Sequence, residues 1–137
     1  MNNTISVDVT VNQPREAVWR CWTLPEFICQ WNQASEDWHT PKAINDFRIG
    51  GKFIYTMASK DGAESFDFEG IYTEIKPLEL IRYEMLDGRK VEVKFLEQNG
   101  RTTLIETFDP ETENPVELQK QGWQSILESF KKVAELC

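Results

Sequence analysis

The chain predicts an α+β fold in which a curved antiparallel sheet of about six to seven strands wraps on one long C-terminal helix. Three observations carry this expectation. From about Asn45 to Asp109 the sequence reads as a run of short half-buried strands. Asp61-Gly62, Asp87-Gly88 and Asn99-Gly100 sit between those runs, where tight hairpins need residues that tolerate positive φ. Finally, Pro115 to Cys137 has the spacing of a single amphipathic helix carrying Trp123 and Phe130. A sheet curved around a helix either fills the space between them or leaves a pocket, so function turns on that space.

The first strand is expected over Thr4 to Val11, where Ile5, Val7, Val9 and Val11 alternate with Ser6, Asp8 and Thr10. Two short helices follow. Pro14 suits the first turn of one, which would bury Val18, Cys21 and Trp22. Thr23-Leu24-Pro25-Glu26 marks the start of the other, with Thr23 as cap and Phe27, Ile28 and Trp31 as its apolar face. Asn32 to Lys42 is polar and irregular apart from Trp38 and reads as a loop.

Hairpin register then follows from the shared face of opposed residues. An Asp61-Gly62 loop pairs Met57 with Phe66, Tyr55 with Phe68 and Phe53 with Gly70, giving one consistently apolar face. Around Asp87-Gly88 a three-residue loop or bulge is expected, pairing Met85 with Val91 and Tyr83 with Val93. The opposite face would carry Arg82, Glu84, Glu92 and Lys94 in solvent. A two-residue Asn99-Gly100 loop opposes Leu104 to Phe95 but also places Glu106 opposite Val93, facing inward. A buried carboxylate costs several kcal/mol unless hydrogen-bonded, solvated or protonated. Either this register slips by one residue, or the inner space tolerates an acid. The closing helix is expected to use Asn114 as cap, Pro115 as first residue and Glu117 to complete a capping box. Its apolar stripe runs through Leu118, Trp123, Ile126, Leu127, Phe130, Val133, Ala134 and Cys137.

The bulk numbers narrow the partners. At 137 residues the chain is expected to form one domain, 1–137. A chain of that size buries roughly 68% of its unfolded surface. The net charge of −8 argues against nucleic acid and against an anionic membrane surface. No signal peptide or membrane span is recognisable, and Cys21, Cys29 and Cys137 read as free thiols in a reducing compartment, so a cytoplasmic location is expected.

One strand, two short helices, about six strands and a long final helix is the order of the helix-grip fold. The whole chain resembles the START-like (SRPBCC) superfamily, in the branch named after the activator of heat-shock protein 90 ATPase. The resembling stretches are Pro14-Arg15-Glu16-Ala17-Val18-Trp19, then Leu24-Pro25-Glu26-Phe27 leading to Trp31, and Asp46 to Phe53. Phe68 to Pro77, Val91-Glu92-Val93 and Gly122-Trp123 complete them. The resemblance implies a cavity between sheet and helix that holds apolar or amphipathic small molecules. The eukaryotic activator carries an additional N-terminal module; with its first strand at Thr4 this chain is expected to have no room for one, which puts a chaperone partner in doubt. A homodimer is allowed, though no sequence feature demonstrates one.

No residue is assigned a catalytic role. His39, the only histidine, lacks a nucleophile or metal partner and reads as a solvated loop residue. Cys21 and Cys137 fall on apolar stripes, where burial keeps a thiol inert. Asp67 and Glu69 share the outer face of their strand. No metal-ligand spacing or cofactor motif is present, so none is expected. The candidate ligand pocket comprises Trp31, Trp38, Phe53, Tyr55, Phe68, Tyr72, Tyr83, Val93, Phe95, Glu106, Trp123 and Leu127. Aromatic surface with a few polar groups suits an apolar small molecule, and equally it could fill the core. The leading expectation is a module that binds a hydrophobic or aromatic ligand. The alternatives are a chaperone-associated stress-response or interaction domain, and a cyclase- or hydrolase-type enzyme using Glu106 with Tyr83.

Overall fold

In a computed structural model describing residues 4–137, seven strands form one antiparallel sheet and three helices accompany it. The order is β1 (Ile5–Val11), α1 (Arg15–Thr23), α2 (Pro25–Trp31), β2 (Trp38–Asn45), β3 (Lys52–Ser59), β4 (Ser65–Lys76), β5 (Leu80–Met85), β6 (Lys90–Gln98), β7 (Arg101–Phe108) and α3 (Val116–Ala134). Strands β2 to β7 meander in sequence order, and β1 closes the far side against β7. The sheet curls into a half-barrel, and α3 lies across its concave face, as an α+β helix-grip fold requires.

Alternation explains the strands. β1 buries Ile5, Val7, Val9 and Val11 and exposes the residues between them. β7 buries Thr102, Leu104, Glu106 and Phe108 and leaves the residues between them half-buried. The curl has two local sources: register shifts at His39/Lys42 in β2 and at Tyr72/Glu74 in β4, each of which bends its strand. Gly70 in β4 contributes as well. A Cβ there would lie 2.6 Å from Phe53 Cε2, so the missing side chain lets the Phe53 ring lie flat over the strand.

The Asp61-Gly62 hairpin has the expected pairs, Met57 with Phe66 and Tyr55 with Phe68. Asn99 and Gly100 both have positive φ, 56° and 75°, the geometry of a tight two-residue hairpin. Leu104 therefore opposes Phe95 and Glu106 opposes Val93; the register does not slip.

Five expectations need correction. Asn32 to Lys42 is not all loop, because β2 begins at Trp38 and carries His39. This is an edge strand, where Pro41 and the bulge are tolerated but blur the alternation that would reveal a strand. At β5–β6, Tyr83 opposes Val91 and Ile81 opposes Val93, two residues from the expected register. The three-residue turn is Leu86-Asp87-Gly88, closed by Met85 N–H on Arg89 O at 2.8 Å. A shift of two preserves the face, so Met85, Tyr83, Val91 and Val93 still point inward.

The caps differ as well. The Thr23 hydroxyl donates to Trp19 O at 2.9 Å because α1 continues through Thr23, and α2 starts after Leu24 with no side-chain cap. At α3 the N-cap position is Pro115, without a side-chain cap from Asn114 or a capping box with Glu117. Instead, the Glu111 carboxylate accepts the N–H groups of Glu113 and Asn114 at 2.8 and 2.7 Å. Gln119 ties down the same turn, donating to Glu111 O and Asn114 O and accepting from Glu111 N–H. Gln119 is therefore buried, whereas Leu118, expected on the apolar stripe, is 55% exposed. On the convex face Arg82 bridges Glu74 and Glu92, an exposed network that contributes little to stability.

Candidate functional site

The sheet and α3 border a pocket of about 190 Å³ that opens to solvent on one side. Its floor is the inward row of the β3–β4 hairpin and β5. Met57, Tyr55 and Phe53 come from β3, Phe66, Phe68 and Tyr72 from β4, and Ile81 and Tyr83 from β5. The roof is Trp123 and Ile126, one turn apart on α3. Trp22 and Trp31 close one end, stacked with centroids 4.6 Å apart and an interplanar angle of 22°.

The aromatic groups hold one another in place. Trp31 Nε1 donates to Cys21 O at 2.9 Å, which fixes its ring against Trp22. Trp123 stacks on Phe108 with centroids 3.9 Å apart and meets Phe68 edge-on at 6.3 Å. The Tyr72 hydroxyl donates to Asn45 Oδ1 at 2.6 Å, and Asn45 Nδ2 donates to Thr23 O at 2.7 Å. Burial pushes the phenols of Tyr55, Tyr72 and Tyr83 up, so all three stay neutral and keep their O–H donors.

Glu106 is the exception in this apolar setting. It is 4% exposed and lines the cavity, and among the described residues its carboxyl makes no side-chain hydrogen bond or ion pair. Desolvation raises its pKa from 4.5 to about 8. The carboxyl thus holds its proton at neutral pH while remaining within reach of ionisation.

The structure brings together Trp31, Phe53, Tyr55, Phe68, Tyr72, Tyr83, Glu106 and Trp123 around this space. It does not bring in four other candidates. Trp38 packs edge-on against Phe66 at 5.9 Å and lies over a separate shallow depression with Lys60, Ser125 and Lys132. Val93, Phe95 and Leu127 are fully buried packing residues. Phe95 sits under α1, edge-on to Trp19 at 5.0 Å.

Six lining residues were not among the candidates: Trp22, Asn32, Met57, Phe66, Ile81 and Ile126. Met57 and Phe66 were legible, since they continue the face of Tyr55 and Phe68, and Ile126 lies three residues after Trp123 on the stripe. Asn32 gave no signal. Its burial comes from a tertiary contact, Nδ2 donating to Thr40 Oγ1 at 3.2 Å.

Burial and the neighbouring Cys137 push the Cys21 thiol well up, which disfavours the thiolate. Among the described residues no cluster of His, Cys, Asp and Glu could hold a metal ion, and no helix is long and apolar enough to cross a membrane.

Comparison with known proteins places this geometry. No curated protein matches the chain. The solution structure of an AHSA1-like protein from Aeromonas hydrophila is similar, with 42% identity, 97% of this chain and 92% of that chain covered, and a TM-score of 0.91. A protein of known solution structure from Cytophaga hutchinsonii is 50% identical, with 98% and 94% covered and a TM-score of 0.85. A crystal structure from Chromobacterium violaceum, at 23% identity with 97% and 98% covered and a TM-score of 0.85, shares the fold. The family model described as "Activator of Hsp90 ATPase homolog 1-like protein" matches residues 12–135. The chain belongs to that family, within the START-like superfamily.

Proposed function

We propose that this protein binds a small hydrophobic or aromatic molecule in the cavity between α3 and the sheet. One observation carries the reading: a half-open pocket of about 190 Å³, walled by aromatic side chains, remains between α3 and the sheet. A concave, mostly apolar space with a few polar groups is the usual form of a small-molecule site. An apolar cavity of about 150 Å³ is large enough for benzene. The space here therefore suits one ring with a short substituent, below the usual range for drug-sized ligands. Phe66, lining the cavity yet 51% exposed, marks the mouth through which such a molecule would pass.

The test uses native mass spectrometry of protein purified from its own host, together with tryptophan fluorescence during a screen of monocyclic compounds. Three of the five tryptophans line the cavity, so occupancy is expected to change the emission. A co-purifying or titratable small molecule that alters this signal supports the reading. A clean unliganded mass with no responsive compound counts against it.

A second reading, proton-transfer catalysis on a bound substrate, draws on the inward carboxyl of Glu106. A group that titrates near neutrality can serve as acid or base. It requires turnover that disappears in Glu106→Gln while binding persists.

A further inference from the structure

The polar chemistry of the cavity is unusually one-sided. Among the described residues, Glu106 is its only ionisable lining residue besides the three neutral phenols, and no Lys, Arg or His lines the space. β1 and β6 oppose Glu106 with Val7 and Val93. β3, β4 and β5 present Tyr55, Tyr72 and Tyr83. The helices supply Trp22, Trp31, Asn32, Trp123 and Ile126, none of them charged. A carboxyl that is 4% exposed and faces a cavity is costly to the fold, and among the described residues no side chain pairs with it to offset that cost.

An organic cation offsets it from both directions. A carboxylate in a low-dielectric site pairs strongly with an ammonium group. The π-faces of Trp, Tyr and Phe attract the same charge, as in aromatic cages for quaternary and methylated amines. The net charge of −8 also raises the local concentration of cations around the protein.

We propose that the cavity selects a small protonated amine bearing one ring-sized apolar group, with the Glu106 carboxylate pairing the ammonium and the aromatic walls enclosing the ring. This rests on the reading of the cavity as a ligand pocket. Binding then exchanges the proton on Glu106 for the ammonium charge. Below about pH 8 one proton is released per ligand bound, and affinity for the amine rises with pH. A neutral ligand that accepts a hydrogen bond from the protonated carboxyl behaves oppositely, since its affinity is flat at low pH and falls above about 8.

The experiment is a fluorescence titration with 2-phenylethylamine and its near-isostere 2-phenylethanol, from pH 6 to pH 8, on the wild-type protein and Glu106→Gln. The amine remains an ammonium throughout this range. The expected result is tighter binding of the amine at pH 8, weakening by about tenfold per pH unit below it. In Glu106→Gln the amine should lose at least about tenfold in affinity and its pH dependence, while the alcohol is unaffected. Thermal melts confirm that the variant is folded, and the wild-type pH series stands independently of it. If the alcohol binds as tightly as the amine at pH 8, or the amine ignores Glu106→Gln, the cation proposal is overturned and the pocket remains. If neither ring binds at either pH, the pocket reading falls with it.

Discussion

Glu106→Gln is expected to stabilise the ligand-free protein at pH 8 by about 3 kcal/mol more than it does at pH 5. In the unfolded chain this carboxyl titrates near 4.5, and in the folded chain near 8. Between those values the folded state holds a proton that the unfolded state has released. Stability from this group is therefore fully present below about pH 4.5, declines as pH rises, and levels off above about pH 8. Glutamine has nearly the same shape and no titration, so its contribution stays constant with pH. Comparing the two pH values removes the separate effect of burying an amide. Urea unfolding of both proteins at each pH reads the difference directly. Equal gaps at pH 5 and pH 8 would mean that Glu106 is solvated in the folded state, and the cavity would then not be an apolar enclosure.

The second large effect concerns the end wall of the cavity. Phe130 of α3 is 0% exposed and meets Trp22 and Trp31 edge-on, with centroids 5.0 and 5.1 Å away. Phe130→Ala removes a buried ring from a site whose neighbours are large and mutually stacked, so collapse into the gap is limited. A loss of about 3–5 kcal/mol is expected, a large share of the stability of a domain this size. The same helix supplies a contrast. Leu118→Ala, at a position 55% exposed, should change stability by less than about 0.5 kcal/mol. Thermal or urea melts distinguish the two, and similar losses for both would contradict the assigned face of α3.

That contrast also shows where sequence reasoning reached its limit. Period-two alternation identified β1 and the inner row of the β3–β4 hairpin, because parity is a local property of the strand. It also carried Glu106 inward once Asn99-Gly100 formed a two-residue turn. Parity is silent about depth. Val93 and Phe95 share the inner face with Glu106 and Tyr83, but α1 covers Phe95 and leaves Tyr83 facing open space. Which stretch of an apolar face is packed and which borders a void depends on where the helices cross the sheet, a tertiary outcome. Leu118 was misplaced for a related reason. In the first turn of α3 Leu118 faces solvent, and Gln119 turns inward to satisfy the backbone around Glu111. Strand β2 was obscured by its bulge and by Pro41, both tolerated because it lies at the sheet edge.

The central claim is that a ring-sized molecule enters beneath α3. The most direct measurement is an NMR titration of methyl-labelled protein with toluene, recording intermolecular contacts to the methyl groups of Met57, Ile81 and Ile126. These three line the cavity from β3, β5 and α3, so a bound ring must approach all of them. The predicted result is saturable shifts of these methyls with contacts to the toluene ring. Contacts confined to exposed methyls such as those of Ile44 and Ile49, or no contact at saturating toluene, would contradict the account.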